Sequence, residues 1–123
     1  MNRTPAPEIG AIYWAECPEV AGYARGKNRP VVILAVEREE NATFVYVAGI
    51  TTQRPEQWEL GDVPLINDWR ELGLTKPNKI HVVNPPHRIR FDLDWFTDLQ
   101  PIGRLNHRLK VRLRAAMVEV GII

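Results

Sequence analysis

Arg29-Pro30-Val31-Val32-Ile33-Leu34-Ala35-Val36 is the stretch on which the fold turns. Its apolar run is too short for a buried helix, and Val31, Val32, Ile33 and Val36 carry the branched side chains that suit a pleated, enclosed strand. Pro30 has no N–H for a ladder, so the run predicts a strand that begins at the proline. Downstream, residues 37–42 read as a charged turn and Thr43-Phe44-Val45-Tyr46-Val47-Ala48-Gly49-Ile50 as the next strand, closed by Thr51-Thr52-Gln53. Two strands joined by a short polar turn make a hairpin. That hairpin returns the end of the second strand to the start of the first and brings Thr51 toward Arg29.

Upstream, residues 9–16 read as a strand in which Ile12 and Trp14 alternate with Tyr13 and Ala15. Residues 17–29 mix Pro18, Gly22, Gly26, Lys27 and Asn28, the composition of a long surface loop. Loops of that length are uncommon without a task. Further on, residues 62–66, 79–83 and 88–91 predict short strands, with one helical turn at 67–73 stopped by Gly73. A helix is expected over residues 106–120, where Leu105, Leu109, Leu113, Ala116, Met117 and Val120 recur on one face. Numerous short strands and one terminal helix predict a single mainly β domain over residues 1–123, a strongly bent sheet or barrel and not a parallel α/β sheet.

Composition narrows the functional classes. With 45% apolar residues and 25% charged residues the chain is that of a packed domain, and a formal net charge of +1 gives no bulk attraction to nucleic acid or membrane. Any basic site must be local. Cys17 is the single cysteine, which excludes an internal disulfide framework and a cysteine-rich zinc site and fits a reducing compartment. The start lacks an apolar signal core and the apolar runs are too short to span a bilayer, so a cytoplasmic location and no membrane partner are expected.

Several motifs dissolve on inspection. Gly22-Tyr23-Ala24-Arg25-Gly26-Lys27-Asn28 has the wrong spacing for a phosphate loop, lacks its hydroxyl residue and precedes a strand. His81, His87 and His107 show no metal spacing, so neither a metal nor another cofactor is expected. Asp92 and Asp94 read as a solvated edge and Cys17 as a small buried residue. Five basic residues between Arg104 and Arg114 have a plain reading as the solvated face of the terminal helix. The cluster Arg25, Lys27 and Arg29 is more suggestive, because binding residues concentrate on loops carried by rigid scaffolds.

Taken in order, Ile9-Gly10-Ala11-Ile12-Tyr13-Trp14, Gly26-Lys27-Asn28-Arg29-Pro30-Val31-Val32-Ile33-Leu34 and Ile50-Thr51-Thr52-Gln53 resemble the MazF/PemK toxin family. Weaker likeness continues through residues 72–80 and through Ile102-Gly103-Arg104-Leu105. The resemblance implies an SH3-like β-barrel of the MazF/CcdB type with a C-terminal helix. It implies a homodimer that cleaves single-stranded RNA without metal and is neutralised by a cognate antitoxin. Arg29 and Thr51 match the family's catalytic residues. Lys27, Thr52, Gln53, Lys76 and Asn78 are candidate RNA contacts, and Arg25, Lys27 and Arg29 a candidate antitoxin surface. One family branch carries a carboxylate base two residues after a basic side chain, where this sequence has Lys76-Pro77-Asn78, an amide in place of the acid. The same fold also serves CcdB-like inhibitors of DNA gyrase, which is the alternative reading, and a non-toxic RNA- or peptide-binding barrel is a third.

Overall fold

The computed structural model describes residues 7–16, 28–52, 55–91, 96 and 99–123. The element order is β1 (Ala11–Glu16), β2 (Asn28–Glu39), β3 (Ala42–Thr51), β4 (Asp62–Leu65), β5 (Asn78–His81), β6 (His87–Arg90), β7 (Gly103–Arg104) and α1 (His107–Glu119). The strands form one antiparallel sheet in the order β4-β5-β3-β2-β1-β7, with β6 on the same edge of β3 as β5 but further back along it. The mainly β architecture with one terminal helix is therefore as the sequence predicts.

β2 and β3 are longer than expected, and the turn between them shrinks to Glu40-Asn41 because Glu39 already pairs with Ala42. β2 also starts two residues before Pro30, which sits inside the strand opposite Trp14. Its missing N–H is tolerated there because the pairing of β2 with β3 begins only at Val31–Gly49. The 67–73 turn is short: Leu72 N–H donates to Asp68 O at 3.3 Å, and Gly73 follows with a φ of +78°. β7 was not expected, since two residues carry no readable period.

Strand alternation divides the core in two. On one face Ile12, Val32, Ala48, Ile50, Val63, Leu65 and Ile80 pack against Leu105, Leu109, Leu113, Ala116 and Met117 of the helix segment. On the other, Tyr13, Ala15, Val31, Val45, Val47 and Ile89 meet Phe91 and Phe96, with Tyr13, Phe91 and Phe96 in mutual edge-to-face contact at centroid distances of 4.9–5.6 Å.

Local chemistry fixes the helix ends. The Asn106 side chain accepts from Leu109 N–H at 2.9 Å, an N-cap. At the other end Gly121, with a φ of +81°, lets its own N–H reach Val118 O and the Ile122 N–H reach Met117 O, a Schellman closure. Before the helix, the backbones of residues 72–73 and 102–103 touch: a Cβ on Gly103 would lie 2.1 Å from Leu72 O, and one on Gly73 2.4 Å from Ile102 O. The basic residues between Arg104 and Arg114 are partly engaged in ordinary pairing. Arg108 donates to both oxygens of Asp68 at 2.9 Å and Arg104 pairs with Glu8.

Candidate functional site

Register brings the predicted pair together. Val31 faces Gly49, and carrying that register two residues further sets Arg29 opposite Thr51; Thr51 in turn faces Lys79 on β5. Both Arg29 and Thr51 are half-buried. Directly opposed residues project from the same face of a sheet, so Arg29, Thr51 and Lys79 form one cross-strand row.

Beside this row opens a cleft of about 300 Å³. Trp14, Pro30, Ile50 and Asn78 come from the strands, Thr52 follows directly on β3, and Leu74, Thr75 and Lys76 form the wall leading into β5. Arg29 also lines the cleft and is thus the residue shared with the row. Of the candidate RNA contacts, Thr52 and Lys76 are exposed and Asn78 is only 2% exposed. Thr51 is next to the cleft but does not line it, because alternation turns it to the opposite face. Arg25, Lys27 and Gln53 lie outside the described residues, as do Cys17, Asp92 and Asp94.

Asn78 is held in one orientation. Its Nδ2 donates to Lys76 O at 3.0 Å, a bond that a carbonyl can make only with the amide nitrogen, and its buried Oδ1 has no protein partner. The position therefore offers an acceptor that takes no proton at ordinary pH.

A second group of titratable side chains adjoins the row. The Asp62 carboxylate, fully shielded from solvent, accepts from Lys79 Nζ at 2.9 Å, from His81 Nδ1 at 2.5 Å and from Glu59 N–H at 2.8 Å. Lys79 Nζ also donates to Gln57 O, which ties the 55–61 loop over the carboxylate. Burial alone pushes the Asp62 carboxyl up, but the Glu59 N–H together with His81 and Lys79 outweighs it and holds the group below the usual carboxylate range. Burial likewise lowers His87, whose Nε2 is enclosed without a partner.

Trp14, 37% exposed, stands in the sequence as a strand residue and as part of the motif that carries the family resemblance, and in the fold it forms one wall of the cleft. Asp62, Lys79 and His81 were not singled out together. The available signal was the i, i+2 spacing of Lys79 and His81 on a strand, and recognising the carboxylate opposite them required the β4–β5 register.

Among the described residues no helix is long and apolar enough to cross a membrane. No curated protein matches the chain. Residues 8–120 do match a family description, and with nearly the whole chain covered, this protein belongs to the PemK-like, MazF-like toxins of type II toxin-antitoxin systems.

Proposed function

We propose that the protein is a toxin endoribonuclease that cuts single-stranded RNA at short specific sequences without a metal ion. What supports this reading is the place of Arg29 and Thr51, each two residues beyond the Val31–Gly49 pair at one end of neighbouring strands, beside the cleft that Arg29 shares with Thr52, Lys76 and Asn78. RNA supplies its own nucleophile, the 2′-OH, so the protein needs to align it with phosphorus and stabilise the charge that grows on the phosphorane. A guanidinium at position 29 offers a planar fork of donors to phosphate oxygens, and its contribution rises as that charge develops. The Thr51 hydroxyl completes a small oxyanion hole. Thr52, Lys76 and Asn78 hold the flanking nucleotide, with Trp14 as a stacking surface. Lys27 and Gln53 add further RNA contacts from the adjoining segments.

The working unit in this proposal is a cytoplasmic two-fold homodimer. Its cognate antitoxin lays an acidic, flexible segment over Arg25, Lys27 and Arg29 and so covers the substrate-binding surface. Incubation of antitoxin-free protein with a long single-stranded RNA in EDTA tests the activity. The expected result is discrete fragments bearing 5′-hydroxyl ends. Folded protein that leaves every long RNA intact, while arresting DNA gyrase, would instead establish the CcdB-like function.

A further inference from the structure

Arginine remains protonated at any ordinary pH, threonine is no base and Asn78 takes no proton, so the site as described lacks a group to accept the 2′-OH proton. The sheet supplies one. We propose that His81 is the general base of the cleavage reaction and that Asp62 is its positioning residue, an inference that rests on the nuclease reading above.

Placement carries the argument. His81 faces Gly49 across β3 and β5, while Thr51 faces Lys79 two residues along. His81 and Thr51 are therefore diagonal neighbours on one face, with Cα atoms roughly 8 Å apart by strand spacing and rise, a separation that long and ring side chains bridge. Gly49, directly opposite the imidazole, is buried and has no side chain. The ring is 39% exposed, whereas its carboxylate partner is fully shielded. Reaction partners thus have access to the histidine and not to the aspartate.

The hydrogen bond fixes the chemistry of the ring. A carboxylate accepts, so Nδ1 bonded to Asp62 Oδ1 carries the proton and Nε2 is left with a free lone pair. Among the described residues, the charged groups around the pair are Lys79 of β5, Glu59, whose N–H donates to Asp62, and Glu119 of α1, which accepts from Gly61 N–H at 3.4 Å next to Asp62. Lys79 is bound to Asp62 and Gln57, which keeps its ammonium on the carboxylate side.

In the step itself, Nε2 takes the 2′-OH proton as the 2′-oxygen forms its bond to phosphorus, and the P–O5′ bond breaks. The 5′-oxygen takes a proton from a solvent water. The products are a 2′,3′-cyclic phosphate and a 5′-hydroxyl, and His81 returns its proton to solvent, so the cycle is balanced.

The test is the pH–rate profile of RNA cleavage by the full chain under single-turnover conditions. The wild type should show an acidic limb of unit slope, and His81→Gln should lose that limb and fall by about 100-fold or more at neutral pH. His81→Gly should regain activity in proportion to added imidazole, a response that a structural role does not produce. Asp62→Asn, where it folds, should lower kcat with KM little changed, because an amide no longer fixes the Nδ1–H tautomer that leaves Nε2 as the acceptor. His81→Gln that cleaves at the wild-type rate with an unchanged profile overturns this inference while leaving the nuclease reading intact. A folded wild-type protein that cuts no RNA overturns both.

Discussion

The two faces of the sheet are made by the same strands and end in opposite chemistry. Toward α1 the inward positions Ile50, Val63, Leu65 and Ile80 are apolar and buried among other side chains, Ile50 also bordering the cleft. Their immediate neighbours Thr51, Asp62 and Lys79 project from the other face, where the apolar cluster around Tyr13, Phe91 and Phe96 gives way to polar and charged groups toward β4 and β5. Period-2 alternation places both sets at once, so the packing that fixes the helix face also fixes the register of the reactive one. Thr51 and the Asp62 group thus take one face, whereas the cleft residues Trp14, Ile50, Thr52 and Asn78 alternate onto the face that packs on α1, and Arg29 at the strand end borders both.

The largest effect should come from Asp62. Replacing it by Asn leaves the Lys79 ammonium enclosed without its counterion, and breaking a buried pair of this kind costs about 3–5 kcal/mol of folding stability. The wild-type contribution has a definite sign with pH. Since the folded carboxyl lies below its usual range, the stabilisation is present above the unfolded value and lost as pH falls through the folded one. Thermal unfolding followed from neutral to strongly acidic solution should therefore drop less steeply for Asp62→Asn than for the wild type.

Leu109→Ala tests the closed face. Leu109 is fully buried, and its truncation should cost about 2–5 kcal/mol, read as a lower denaturant midpoint, with the cleavage rate of the folded fraction unchanged. Arg29→Ala is the converse: cleavage should fall by about 100-fold or more with little change in melting temperature. A melting temperature that falls as far as that of Leu109→Ala would show that the two faces are not energetically distinct. Asn78→Ala should reduce the rate less than Arg29→Ala does, because in the proposed mechanism its amide only positions substrate while Arg29 meets developing charge. The smallest effect belongs to the helix end, where Asn106→Ala removes the cap and should cost about 1 kcal/mol.

What could be read from the sequence follows the same division. The 31–36 run and the helical spacing from Leu105 to Met117 announce buried elements, because burial imposes a period on the residues that undergo it. The Arg29–Thr51 approach was legible as well, since a hairpin turns two sequence positions into one spatial one. The 37–42 turn was read too long because Glu37 and Arg38 look like loop residues. In the fold Glu37 bonds Tyr46 and Arg88 across the strands and remains in the ladder. The Asp62–Lys79–His81 group was hidden for a different reason. Its members come from two strands whose pairing has no short turn between them, and the histidine's partner is defined by register and not by spacing.

The contact between residues 72–73 and 102–103 gives the cleft a mechanical setting. Two glycines let the backbones approach to a distance that no side chain permits, and the wall carrying Leu74, Thr75 and Lys76 continues directly from that point. The width of the cleft, where the proposed function places a nucleotide, is thus gauged by a backbone seam on the helix side of the wall. A methyl group added at Gly103 would act as a wedge, forcing Leu72 O outward and carrying the wall with it, and under the proposed function would change which bases the cleft admits without altering any residue that lines it.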